Sequence, residues 1–479
     1  MAKPEFDICV IGGGSAGLTA AAGAALLGAK VALIEKRALG GECLFYGCVP
    51  SKSLLYSAKV AQTVRKAGRF GVDAEPPRID LARVMQRVQS VIKAIEPHDS
   101  PERFRGLGID VVFGHGQFVS RAAFKIGART ITAKKFVIAT GSQPAIAKIP
   151  GLDGVPYLTN ETVFGLSEAV PSLIILGGGP IGIEIAQAFK RLGSEVHVVE
   201  RESRILANDD AEAAQIVHNR LAAEGVQFHL DASLERVDGS AGAISAQLQL
   251  GGGAKKVIAG SHILVAVGRK ANVEGLGCEA AGVEVNKGGV KTDARLRTTN
   301  RNIYACGDVS SHLRFTHMAE YQAGIVLRNA LFHLPAKVDA RAVPWCTFTD
   351  PELAHVGLTE QQAKNQKLAY EVHRAAFADN DRAQAEGVAD EIAGFAKLVT
   401  DDKGRLLGAT VVGPHAGELI HELVVLVAKH RKVADIENVI HIYPTLAQIV
   451  LRAAQARRKA YLTPQSKKWI TFLFRLRGR

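Results

Sequence analysis

One local pattern occurs twice in this chain, and it limits the fold more than any other feature. "DICVIGGGSAGLTAAAGAALLGAKVALIEK" and "SLIILGGGPIGIEIAQAFKRLGSEVHVVER" each run apolar strand, G-x-G-x-x-G turn, small-residue helix and second apolar strand ending in an acid. From first glycine to acid is 23 residues in both, Gly12 to Glu35 and Gly177 to Glu200. Such a turn lets the backbone approach a pyrophosphate, whose oxygens meet the free N–H groups and dipole of the helix start. The acid at the end of the second strand is placed for ribose hydroxyls. One such turn is weak support, because glycine-rich turns also serve packing. Two, each in full strand–turn–helix–strand context, predict two dinucleotide sites held at once.

A chain of 479 residues that is 47% hydrophobic can bury large cores, and length alone suggests about three domains. Six irregularly spaced cysteines (9, 43, 48, 278, 306, 346) are too sparse for a secreted disulfide framework, so a reducing cytoplasm is expected. The opening "MAKPEFDICVIGGG" lacks the charged leader and apolar run of a signal peptide. No stretch reaches the roughly 18–20 apolar residues of a spanning helix. The net charge of +12 is local: residues 438–479 hold nine Lys and Arg and no acid, and 12 − 9 leaves +3 for the rest. Those basic residues are mixed with bulky apolar ones, which argues against nucleic acid as a partner.

"GGECLFYGCVPSK" sets Cys43 and Cys48 five positions apart where a helix should begin. Five helical residues rise about 7.5 Å, whereas a disulfide wants Cα atoms roughly 4.4–6.8 Å apart. Either the pair never bonds, or the helix is distorted. Elsewhere, "FGVDAEPPRIDLARVMQRVQSVIKAIE" predicts a turn and a helix, and "FKIGARTITAKKFVIATGS" alternating strands. "QLQLGGGAKKVIAGSHILVAVG" predicts a hairpin turning at Gly251–Gly253. From about residue 340 the texture predicts an antiparallel sheet flanked by helices.

With the paired turns, "GGECLFYGCVPSK", "FVIATGS", "NIYACGDVS" and "TFTDPELAHVGLTE" in that order, the chain resembles the glutathione reductase, dihydrolipoamide dehydrogenase and mercuric reductase family over roughly residues 5 to 460. The resemblance implies an α/β fold: two Rossmann-like three-layer (ββα) nucleotide-binding domains plus an α+β C-terminal dimerisation domain. It places an FAD domain at 1–150 and 273–340, an NAD(P)H domain at 151–272, a dimerisation domain at 341–460 and a basic tail at 461–479. Gly12, Gly14, Gly17 and Glu35 would hold the adenosine half of FAD, with Thr140, Gly141, Gly268 and Asp308 also at the cofactors. Gly177, Gly179, Gly182 and Glu200 would serve the nicotinamide cofactor. Cys43 and Cys48 would form a redox disulfide on a distorted helix, with Gly47 absorbing the distortion. Cys48 would lie nearer the flavin as a thiolate favoured by its helix start, and Cys43 would meet the substrate. Lys52 would sit near the flavin with Glu184 as its ion-pair partner. The resemblance also implies a homodimer whose active site the partner subunit completes.

The acceptor depends on "HIYPTLAQIV", where disulfide reductases of the family carry His-Pro-Thr and a later glutamate. Tyr443 stands for that histidine and Gln448 for the glutamate, while the Pro-Thr anchor leaves His441 structural. Tyrosine titrates near pH 10 and histidine near 6.5, so the phenol is the poorer base at neutral pH. Mercuric reductases share the tyrosine, and "EIAQAFKRLGS" reads closer to them. Reducing a soft metal ion needs thiolate ligands rather than a proton shuttle, so Cys43 and Cys48 would be transient ligands of a substrate metal. Three features depart from that subgroup: no N-terminal metal-carrying domain, no vicinal cysteines in the tail, and Glu200, which favours NADH over NADPH, tempered by Arg201 and Arg204. Pro180 also replaces the tyrosine that gates the nicotinamide pocket in glutathione reductase. The expected activity is therefore mercuric reductase-like, passing electrons from NAD(P)H through FAD and the dithiol to a metal ion or another oxidant. The alternatives are a dihydrolipoamide dehydrogenase or other disulfide reductase, and a membrane-associated redox sensor with little turnover. In "QSKKWITFLFRLRGR", Trp469, Phe472, Leu473 and Leu476 fall on one helical face amid Lys467, Lys468, Arg475 and Arg479. That pattern predicts an interfacial helix on an anionic leaflet, hence a cytoplasmic protein peripheral on the inner membrane face.

Overall fold

Alternate residues of the strand Phe6–Ile11 go to different layers. The strand pairs in parallel with Val31–Glu35 on one side and Arg129–Ile138 on the other. Asp110–Phe113 and Ile303–Ala305 extend the sheet at either side. Ile8 and Val10 join a buried cluster with Ala20, Ala24, Ala323 and Val326, whereas Cys9 and Ile11 join one with Phe118, Phe124 and Ile131. The first cluster belongs to the helices Ser15–Leu26 and Thr316–Leu331. The second belongs to an antiparallel meander of Gly116–Ser120, Ala123–Ile126 and the first half of Arg129–Ile138. Strands covered on both faces read as apolar runs, as Val31–Glu35 does up to its final acid. Gly23 lets the two helices approach, since a Cβ there would stand 2.5 Å from Leu327 Cδ1.

A second parallel set joins Ser172–Leu176 to Glu195–Val199 and His262–Val265. Ala243–Leu250 and Lys255–Gly260 form the hairpin expected around Gly251–Gly253. The helix expected after Phe70 runs Leu81–Ile95, capped by Asp80, whose side chain accepts the Arg83 N–H. In the last part of the chain five antiparallel strands lie in the order Pro344–Thr347, Glu352–Gly357, Leu406–Gly413, Phe395–Thr400, Glu371–Ala376. Helices His421–Ala428 and Gln448–Ala460 cover them through Leu423, Ile449, Val450 and Ala453.

The computed structural model describes residues 3–389 and 393–476. They divide into two compact units, Met1–Gly177 with Ala188–Val199 and Ser233–Asp339, and Gly178–Gln187 with Glu200–Ala232 and Ala340–Arg479. Among the described residues no helix is long and apolar enough to cross a membrane.

Charges buried in the second unit are met by partners. The Lys397 ammonium lies 3.0 and 3.1 Å from the two Asp210 carboxylate oxygens and 2.9 Å from Glu212. Trp345 donates its ring N–H to Asp209 at 2.7 Å and stacks obliquely on His355, 4.5 Å between ring centres. His355 Nδ1 faces the Thr410 hydroxyl at 2.8 Å and Nε2 the Gly357 carbonyl at 3.0 Å, which suits the neutral ring. Burial pushes His355 down to about 4 and Asp209 up to about 6. The two act with opposite sign. His355 contributes stability that is lost as pH falls from about 6.5 to about 4, whereas Asp209 contributes stability that is lost as pH rises from about 3.8 to about 6. Asp209 thus offsets part of the acid loss. Asp209→Asn should steepen the fall in unfolding free energy between about pH 6 and pH 4 by about 2 kcal/mol, measured by denaturant titration at several pH values. An unchanged slope would remove Asp209 from the balance.

Candidate active site

Both glycine turns are closed by their own distant acid. Glu35 Oε2 accepts the Gly13 N–H at 2.6 Å, and Glu200 Oε2 accepts the Gly178 N–H at 2.5 Å. The second oxygen of each carboxylate takes a backbone N–H two residues on, from Arg37 and Glu202. Each acid therefore braces its own loop through both oxygens. The first glycines are sterically required: a Cβ on Gly12 would stand 2.3 Å from the Ala139 carbonyl oxygen, and one on Gly177 2.5 Å from that of Ala266. Gly17 is tighter still, at 1.8 Å from the Gly12 carbonyl oxygen. The middle glycines differ. A Cβ on Gly14 would meet nothing nearer than Gly41 Cα at 3.9 Å, and one on Gly179 nothing within 4 Å. Open space above the middle glycine, at the start of a helix, is the cradle a pyrophosphate needs, so these turns fit FAD and a nicotinamide dinucleotide. Gly182 follows within the helix Pro180–Arg191. Arg204 is committed elsewhere, donating to the carbonyls of Leu206 at 2.8 Å and Asp209 at 3.0 Å.

The helix between the cysteines is broken. Gly41–Phe45 carries Cys43, Tyr46 and Gly47 interrupt it, and Cys48–Arg65 begins afresh. Gly47 has φ −124° and ψ −113°, and a Cβ there would press to 3.1 Å from the Glu42 carbonyl oxygen. The break brings the thiols of Cys43 and Cys48 into hydrogen-bonding contact, and that bond, with burial, raises the Cys43 pKa. Cys48 opens an 18-residue helix, and its sulfur lies 3.6 Å from the hydroxyl of Thr316, the first residue of another. Lys52 follows Cys48 by about one turn on the same helix. Glu184, in the other unit, accepts the Phe348 N–H at 2.9 Å.

Glu42, adjoining Cys43, is clamped. Arg269 bonds its carboxylate, and the Asn160 amide donates to it at 2.7 Å. Burial raises the Glu42 pKa against the pull of Arg269. Arg269 also bonds the Ser142 hydroxyl at 2.7 Å, which itself donates to Asp308 at 2.6 Å. Thr140 and Gly141 are tied to Asn272: the Thr140 hydroxyl donates to its carbonyl at 2.7 Å, and its N–H reaches the Gly141 carbonyl at 2.9 Å. The Gly268 carbonyl accepts the Ala145 N–H at 2.9 Å. Sequence reasoning missed Thr316, Arg269 and Asn160; the only signal was the acid in "GGEC", which needs a cation nearby.

At the other end, Tyr443 is 66% exposed beside Ile440 and Ile442. Thr445 closes the turn by donating to the Ile442 carbonyl at 2.8 Å. His441 lies at the root, its side chain 8% exposed, with Nε2 3.3 Å from Glu422 and Nδ1 3.0 Å from the Val439 carbonyl. Gln448 opens the helix Gln448–Ala460.

Two nucleotide turns and a dithiol on a broken helix are the working parts of a nicotinamide-dependent dithiol oxidoreductase. Residues 6–323 match the pyridine nucleotide-disulphide oxidoreductase profile and residues 343–454 its dimerisation domain, and the chain belongs to this family. It is therefore an FAD-dependent oxidoreductase using NAD(P)H, and the dimerisation domain supports a homodimer. The mercuric reductase of Bacillus cereus is 34% identical over 446 residues, 93% of this chain and 70% of that protein. The dihydrolipoyl dehydrogenase of Chlamydia trachomatis is 37% identical over 456 residues, 94% of this chain and 96% of that one. Among solved structures, the Cu(II) complex of the HOCl-induced flavoprotein disulfide reductase RclA from Escherichia coli is 28% identical with a TM-score of 0.84, covering 95% of this chain and 99% of that one.

The two kinds of glycine predict different failures. Gly17→Ala should prevent the first unit from folding, read as insoluble protein. Gly14→Ala should give folded protein that binds FAD at least about tenfold more weakly, followed by flavin absorbance and fluorescence titration of the apoprotein. Full flavin retention by Gly14→Ala would show that the pyrophosphate does not sit there.

Proposed function

We propose that this protein passes electrons from NAD(P)H, NADH by preference, through FAD and the Cys43–Cys48 couple to a soft metal ion or another two-electron oxidant. In this reading FAD occupies 1–150 with 273–340, the nicotinamide cofactor 151–272, and 341–460 forms the dimer that completes the site. The relatives' names divide between mercuric reductase and dihydrolipoyl dehydrogenase, so the names do not choose the acceptor. The observation that favours a metal ion or oxidant is Tyr443, with Gln448 after it, where a proton-shuttling pair would be needed for dithiol substrates. His441 is buried at the root of that loop against Glu422, away from the exposed tip. Glu200, with Arg204 turned to carbonyls, supports NADH.

FAD, when bound, supplies the two-electron relay between nicotinamide and sulfur. Cys43, the outer thiol in this reading, binds the acceptor with Cys48 beside it. With a divalent ion, Cys43 and Cys48 each lose a proton, the metal gains two electrons, and one S–S bond forms. NADH and one proton then restore both thiols and yield NAD⁺, so the sum is NADH and M²⁺ to NAD⁺, M⁰ and H⁺. No proton has to reach a leaving thiol, so the phenol at 443 costs this reaction little. Lys52, about one helical turn beyond Cys48, holds positive charge near the relay. The enzyme works in the cytoplasm, peripheral on the inner membrane face.

Cys43→Ala and Cys48→Ala should each abolish NADH-driven reduction of mercuric or cupric ion while leaving flavin bound. Unchanged rates across mercuric, cupric, quinone, disulfide and hypochlorite-type acceptors would leave a sensor without dithiol turnover as the better reading. Wild-type protein should oxidise dihydrolipoamide poorly, and Tyr443→His with Gln448→Glu should raise that rate at least about tenfold. Dihydrolipoamide oxidation by the wild type at rates comparable to metal-ion reduction would overturn the choice of acceptor.

A further inference from the structure

We infer that the helix Pro464–Leu476 is a docking element for an anionic lipid bilayer, lying flat in the headgroup region with its apolar face inward. This deepens the peripheral placement above and rests on it, but not on the identity of the acceptor.

The helix is built as a separate element. The Thr463 hydroxyl accepts the Ser466 N–H at 3.2 Å, and Pro464 takes the first helical position. With about 3.6 residues per turn, Trp469, Ile470, Phe472, Leu473, Phe474 and Leu476 cover one broad face, while Lys467, Lys468, Thr471 and Arg475 occupy the other. All six apolar side chains are exposed, Trp469 by 68% and Leu476 by 66%, and none belongs to a buried cluster. So much bulky apolar surface on 13 residues is costly in water unless something covers it.

Charge decides what covers it. On the preceding helix Arg452, Arg457 and Arg458 have carboxylate partners in Asp381, Glu371 and Glu437. Lys467, Lys468 and Arg475 make no salt bridge among the described residues, and no acid lies in residues 438–479. A second copy of the helix would bring like charges together. The family's dimerisation domain also ends at residue 454, ahead of this helix. An anionic interface answers both halves, accepting the apolar face into its acyl boundary and the ammonium and guanidinium groups among its phosphates. At about 20 Å long the helix cannot span a bilayer but can rest on one. Arg477 and Arg479 lie outside the described residues.

The test uses the full-length holoenzyme with vesicles of phosphatidylglycerol mixed with phosphatidylcholine, against phosphatidylcholine alone. Co-sedimentation with the mixed vesicles only, reversed by high salt, is expected. The chain has two tryptophans, Trp345 and Trp469, so a Trp345→Phe variant isolates the tail signal. Its emission should shift to the blue on mixed vesicles and be quenched by lipids brominated near the headgroup end of the chains. Lys467→Gln with Lys468→Gln and Arg475→Gln should weaken partitioning about 100-fold, and Leu473→Glu should abolish it. None of these tail variants should alter NADH-driven turnover of a water-soluble acceptor. Equal binding to phosphatidylcholine alone, absence of binding to either vesicle, or a tail variant that lowers the oligomer mass without affecting vesicle binding would overturn the proposal. Vesicle binding by protein with no turnover would instead count against the redox reading and leave the docking helix standing.

Discussion

A carboxylate that reaches back across a βα turn to hold one glycine N–H organises both nucleotide sites. Glu35 does this for the loop at Gly12–Gly17 and Glu200 for the loop at Gly177–Gly182, each with its other oxygen on the backbone two residues on. The bond fixes the loop against the end of the second strand, leaving the middle glycine's N–H and empty side-chain position for the ligand. Close contacts with Ala139 and Ala266 keep the first glycine in place. Binding then has little backbone left to order, which favours affinity. The segment that carries Cys43 is tied to the first of these loops, because Gly40 donates to the Gly13 carbonyl at 2.9 Å just ahead of its helix.

Electrostatics around that dithiol are local and paired. Arg269 joins Glu42, Ser142 and Asp308 in one set of bonds, so the acid beside Cys43 and the acid expected at the ribityl–pyrophosphate part of FAD share a guanidinium. Removing one member would leave another partly buried charge uncompensated, which is why such groups act together. At the far end of the chain the contrast is between a histidine used as masonry and a phenol left at the surface. His441 with Glu422 fixes the loop root, and Tyr443 is what the loop presents.

Period and spacing made the nucleotide loops, the hairpin at Gly251–Gly253, the helix after Asp80 and the late antiparallel sheet legible before any coordinates. These elements are specified by short-range patterns: alternation along a strand, glycines at turns, an acid 23 residues on. The broken helix was readable only as a dilemma, since spacing alone left open whether the cysteines meet. Arg269, Asn160 and Thr316 were invisible because they reach the site from 118 to 268 residues away in the chain, through contacts that no local period encodes. Lys397, alone in an apolar strand, offered a similar hint without naming Asp210 as its partner.

The interruption at Tyr46 and Gly47 also separates two mechanical roles. The short helix before it is fastened through Glu42, and the long helix after it is seated by Leu54, Ala58 and Ala61 in the core. The joint between them is held from outside as well, by the Asn160 amide donating to the Tyr46 carbonyl at 3.2 Å. The two thiols therefore belong to separately anchored segments, and moving one sulfur against the other would load one anchor or the other.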